Sequence, residues 1–151
     1  MRPEEIKPDT ALCTILGYNA QTGQSRRYFN KWLKLNRINA TAIALNITDE
    51  HFHFTMTSVA NSKVDKMILE YEFKSKAVEY CEKQDNDSID FIETEDGKVI
   101  GYNLDSKVNE LFENLEFIDD RIKFITKMMI IANRWYGVEI DLEQIPLLIE
   151  E

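Results

Sequence analysis

SIDFIETEDGKVIGYNLD, residues 88–105, decides how the rest of the chain is read. Residues alternate in polarity on either side of Asp96-Gly97, a pair suited to the two positive-φ positions of a type I′ turn, so two antiparallel strands are predicted here. The preceding chain is organised differently. ALCTIL (11–16), ending in Gly17, reads as a buried strand, and Ser25 can serve as N-cap of a helix with Phe29, Trp32 and Leu33 on one face. TAIALNI (41–47) is a second strand, followed by Thr48 and Asp49 as caps of a helix carrying Phe52, Met56 and Val59. KMILEY (66–71) is a third, and from Lys74 to Lys83 the residues Ala77, Val78 and Cys81 keep helical spacing. Strands alternating with helices predict an α/β fold: a three-layer α/β/α arrangement whose mainly parallel sheet carries an appended antiparallel hairpin. Residues 106–116 and 119–135 read as helices, the second carrying Ile122, Ile125, Met128, Met129 and Ala132 and ending at Trp135 and Gly137.

The chain has 151 residues, which predicts one domain over 1–151, with 1–10 as a lead-in and 119–147 as a helical segment packing back on it. Lys and Arg number 18 against 27 Asp and Glu, a net charge of −9. Residues 1–48 are basic and the remainder strongly acidic, which argues against a nucleic-acid partner. The cluster Arg26, Arg27, Lys31, Lys34, Arg37 reads as the solvated face of a helix. Cys13 and Cys81 sit in separate apolar runs, as reduced thiols do, and no stretch approaches the roughly 20 apolar residues of a membrane span. A cytoplasmic protein is expected.

The only histidines, His51 and His53, are two apart in a helical segment and share no face, so no metal site is predicted. No serine lies in a G-x-S-x-G elbow. The five glycines show neither dinucleotide-loop nor P-loop spacing, so no self-contained NAD(P) or ATP site, and no cofactor, is expected. Two segments do suggest chemistry: EYEFKSKAVEYC (70–81) puts Lys74 past a parallel strand at a helix start, and DGKVIGYNLD (96–105) puts Asp105 past a hairpin strand. Ligands of open α/β sheets bind at strand ends. A Lys and an Asp brought together there could shuttle a proton; a surface lysine and a helix-capping aspartate are the plainer alternative.

The order of these pieces resembles the substrate-binding domain of shikimate dehydrogenases. LGYNAQTGQSRRYFN (16–30) looks like a worn G-x-P-x-x-H-S-x-S-P-x-x-H-N loop, with Gly17, Ser25 and Asn30 matching. ILEYEFK (68–74) resembles N-V-T-x-P-x-K, keeping Lys74 but with Glu70 for threonine, and DSIDF (87–91) puts Asp90 at an asparagine position. The D-G-K-x-x-G-Y-N-T-D hairpin is kept at Asp96, Gly97, Lys98, Gly101, Tyr102, Asn103 and Asp105. In the last helix Trp135 and Gly137 match, and Lys127 replaces a substrate-binding glutamine. The resemblance implies that Lys74 and Asp105 are the catalytic pair, with Ser25, Glu70, Asp90, Tyr102 and Lys127 around the ligand. It also implies a Rossmann domain where this chain has only a few residues, between Glu116 and Asp119.

Three functions follow from the resemblance. The favoured one is a non-redox relative, a pseudoenzyme that binds a small polar ligand or a regulatory partner. The others are an enzyme using Lys74 and Asp105 for proton transfer, alone or with a Rossmann subunit in trans, and an interaction module or homodimer exposing residues such as Phe117 and Ile118. The two acids Glu70 and Asp90 disfavour a carboxylate ligand, since a like-charge contact at ~4 Å costs on the order of 4 kcal/mol at an effective dielectric near 20. Alternatively, Glu70, Lys74, Asp90, Asp105 and Lys127 pair among themselves, giving a structural ion network or a site for a ligand with amino groups.

Overall fold

The structure is a computed structural model that describes residues 7–59, 64–82, 86–113 and 118–149. Contacts group the chain into two compact units: a strand-rich unit, residues 12–26 and 42–103, and a helical unit, residues 1–11, 27–41 and 104–151.

Five strands, β1 (Ala11–Gly17), β2 (Ala40–Asn46), β3 (Lys66–Leu69), β4 (Phe91–Glu95) and β5 (Lys98–Tyr102), form one mixed sheet in the order β2-β1-β3-β4-β5. β1 and β3 are parallel, with Ile15 opposite Ile68, and β4 and β5 add antiparallel pairings. The α/β class and the appended hairpin are therefore as predicted. Asp96 and Gly97 have φ of 52° and 77°, the two left-handed positions that a type I′ turn needs.

In the strand-rich unit one sheet face, with Leu16, Met67, Leu69 and Ile92, packs with Phe52 and Met56 of α2 (Asp49–Ser58) and with Val59, the residue that caps its C-terminus. Thr48 caps α2 by accepting from the His51 N–H. A short helix, α3 (Tyr71–Lys74), adds Phe73, which stacks on Phe52 at 4.2 Å and 7°.

The helical unit takes most of α1 (Gln24–Leu35), together with α4 (Asp105–Leu111), α5 (Asp120–Tyr136) and α6 (Ile145–Ile149). Phe29 and Trp32 are buried, and the Phe29 ring meets Trp135 edge-on at 6.2 Å. Asp119 caps α5 by accepting from Arg121 N–H, and Gly137 closes it in the left-handed region.

Several local expectations are corrected. Ser25 is not the N-cap of α1, because the helix already begins at Gln24 and the Ser25 hydroxyl is used elsewhere. Strand β3 stops at Leu69, and Lys74 ends a helix rather than starting one. The chain turns at Glu70 because Phe73 must reach the core, which a strand running on to Tyr71 would prevent. A helix from Lys74 to Lys83 is replaced by a turn and a 3-10 segment, Val78–Tyr80; Lys83 itself lies outside the described residues. Helix α4 ends at Leu111 rather than 116, and residues 114–117, part of the join to α5, likewise lie outside the described residues.

Candidate functional site

The site begins where β1 and β3 end side by side. Glu70 follows β3, and its backbone N–H donates to Leu16 C=O at 2.9 Å, which places its side chain along the loop that follows β1. That loop makes room for it with two glycines. A methyl group at Gly17 would stand 2.6 Å from Glu70 Cγ, and one at Gly23 would collide with Oε1. The buried Ser25 hydroxyl donates to Glu70 Oε2 at 2.9 Å. Burial, and secondly the neighbouring Glu72, push the Glu70 carboxyl above the ordinary glutamate range despite this donor. Glu72 accepts from the Tyr18 N–H, so the same loop is fastened by two carboxylates.

Lys74, at the end of α3, donates to Asp90 Oδ1 at 2.8 Å. The Asp90 side chain is only 3% exposed and that of Lys74 16%. Backbone bonds fix the pair on both sides: Ile89 N–H donates to Lys74 C=O at 2.8 Å, Asp90 N–H donates to Tyr102 C=O at 2.7 Å, and Asp90 C=O accepts from Leu69 N–H. Asn103 steadies the approach, its amide donating to the Ser88 carbonyl and hydroxyl. Tyr102 stacks on Phe91 at 4.8 Å. In the helical unit, Lys127 on α5 donates to Asp105 Oδ1 at 2.7 Å at the start of α4.

No protein-family model matches the sequence, and no curated protein matches it. Solved structures do. A shikimate dehydrogenase in complex with NADP+ superposes with a TM-score of 0.60 at 20% identity, over 76% of this chain and 42% of its own. The shikimate dehydrogenase of Aquifex aeolicus gives 0.59 at 20% identity, over 74% and 44%. The 5-ketofructose reductase of Gluconobacter sp. gives 0.59 at 9% identity, over 74% and 42%. This is part of a shikimate dehydrogenase fold. The chain spans less than half the length of these neighbours.

On the shikimate dehydrogenase fold, the residues singled out from sequence divide between two groups. Ser25, Glu70, Lys74 and Asp90 share one neighbourhood of the strand-rich unit, linked by the contacts above and by the pull of the Lys74 charge on Glu70. Asp105 and Lys127 form their ion pair within the helical unit. Lys74 holds Asp90 within the strand-rich unit, and Asp105 holds Lys127 within the helical unit.

Other features had no signal in the sequence. Tyr18 and Lys76 both donate to Asp49, which lowers the Asp49 carboxyl and raises Lys76, yet the three are far apart along the chain. A cavity of about 330 Å³ in the helical unit is lined by Trp32, Leu35, Asn36, Glu139, Asp141 and Gln144. Among the described residues no cluster of three or more His, Cys, Asp and Glu side chains could hold a metal, and no helix is long and apolar enough to cross a membrane.

Proposed function

We propose that the chain is a non-redox, small-molecule-binding protein built on part of the shikimate dehydrogenase fold, and that its ligand is a small polar compound carrying amino groups rather than a carboxylate. The observation that carries this reading is the Lys74–Asp90 pair. The Lys74 ammonium group, beside Glu70 and Asp90, is held by Asp90, the most buried of the acids Glu70, Glu72 and Asp90. An incoming carboxylate would meet the acids Glu70, Glu72 and Asp90 with Lys74 already paired, whereas an amino group would be attracted to Glu70 and Glu72.

Thermal-shift measurements with shikimate, quinate and an amino-polyol panel test the proposal. An amino polyol is expected to raise the Tm, with the rise reduced in Glu72→Gln, and NADP is expected to give no shift. A clear shift with shikimate, or with NADP, overturns it.

A catalytic role for Lys74 and Asp105 in proton transfer, alone or with a Rossmann subunit in trans, is the competing enzymatic proposal. It requires Lys74 to release a buried carboxylate during the reaction, which is costly. The third proposal, a surface for a protein partner or a second copy, is favoured by the exposed side chains Leu12, Ile43 and Leu45 on the strands. Ile118, named from sequence for such a surface, is half-buried, and Phe117 lies outside the described residues.

A further inference from the structure

We propose that Glu70 is a built-in occupant of a carboxylate-binding cradle and so determines what the site refuses: Ser25, Gly23 and Gly17 form a recess for a carboxylate, and the chain fills it with its own. The inference rests on the preceding reading that the site does not take acids, and supplies the residue responsible.

The cradle has the parts that carboxylate recognition needs. A buried donor, the Ser25 hydroxyl, points at the group from 2.9 Å, and Ser25 is 1% exposed. Both glycines are needed at their positions, since a Cβ on either would enter the space that Glu70 occupies. The backbone of Glu70 is anchored independently, by its N–H to Leu16 and its C=O to the Phe73 N–H, so the carboxylate is delivered from a fixed point. An external acid therefore competes with a tethered one whose ordering cost was met on folding.

The test is chemical rescue. Glu70→Ala leaves the Ser25 hydroxyl and a carboxylate-sized space beside Gly23. With sodium acetate at ten times its Kd, the Tm of Glu70→Ala is expected to rise by about 4 °C relative to sodium chloride at equal ionic strength. The wild type and Glu70→Gln, in which the cradle stays filled, are expected to show no acetate-specific rise, and Ser25→Ala in the Glu70→Ala background to lose it. A folded Glu70→Ala that ignores acetate, or a wild type that responds equally, overturns the proposal.

Should Glu70→Ala not fold, a ligand-free comparison decides. Gly23→Ala is expected to lower the Tm of the wild type, and to lower that of Glu70→Asp, whose carboxylate is drawn back by one methylene, by less than half as much. Equal losses in the two backgrounds overturn the cradle. Failure of the functional reading shows separately, as stabilisation of the wild type by shikimate or quinate.

Discussion

Lys74 and Asp90 differ in what their loss would do. Replacing Lys74 by Met removes the charge partner of a carboxylate that is 97% buried, and breaking such a pair from one side costs about 3–5 kcal/mol. Urea denaturation of Lys74→Met is expected to show a loss of that order, and Lys74→Met combined with Asp90→Leu to recover much of it. A single variant within about 0.5 kcal/mol of the wild type would show that Asp90 is held by its other contacts. Glu70 gives a pH dependence of definite sign. Its carboxyl is raised in the folded state, chiefly by burial, so between the unfolded and folded values the native state binds more protons. Stability contributed through this group is then highest below that window and falls as pH rises through it. Chemical denaturation across this range should show that fall in the wild type and a flatter profile in Glu70→Gln; identical profiles would remove Glu70 as its source. At this scale the sequence marked a set of charges able to pair among themselves, but not which lysine takes which acid. Glu70 and Asp90 stood out because the resemblance puts neutral groups at their positions, whereas Lys74 finds Asp90 because a backbone bond from Ile89 to the Lys74 carbonyl sets the two side by side.

Elements were legible where a local rule leaves one solution. The hairpin is such a case, since alternating strands around Asp-Gly admit few turns, and the observed φ values match. Gly97→Ala is expected to destabilise by about 1–2 kcal/mol, because φ of 77° opposes a Cβ while nothing else lies near enough to clash. A Tm unchanged by this substitution would mean that the turn relaxes to another type. Elements decided by tertiary packing were not legible. Nothing local in EYEFK says that β3 ends before Glu70; the turn exists because Phe73 stacks on Phe52, some twenty residues earlier. Ser25 illustrates the same limit: its residue type favours a cap, but its hydroxyl serves a carboxylate 45 positions away.

For the whole molecule, the order of strands and helices carried the fold, and the match to shikimate dehydrogenase structures over about three quarters of the chain agrees with it. Function is less transferable, because the chain spans less than half the length of those neighbours and is at most 20% identical to them. Acidic excess alone signals only a poor match for nucleic acid; in the proposed function its meaning depends on where Glu70 and Asp90 stand. The distribution of aromatic residues has a practical consequence. Both tryptophans, Trp32 and Trp135, belong to the helical unit, whereas Tyr18, Tyr71, Tyr80 and Tyr102 belong to the strand-rich one. Tryptophan emission is therefore a spectroscopic label for one unit alone. Followed beside far-ultraviolet dichroism during unfolding, it distinguishes a chain that melts in a single step from one whose helices loosen while the sheet persists.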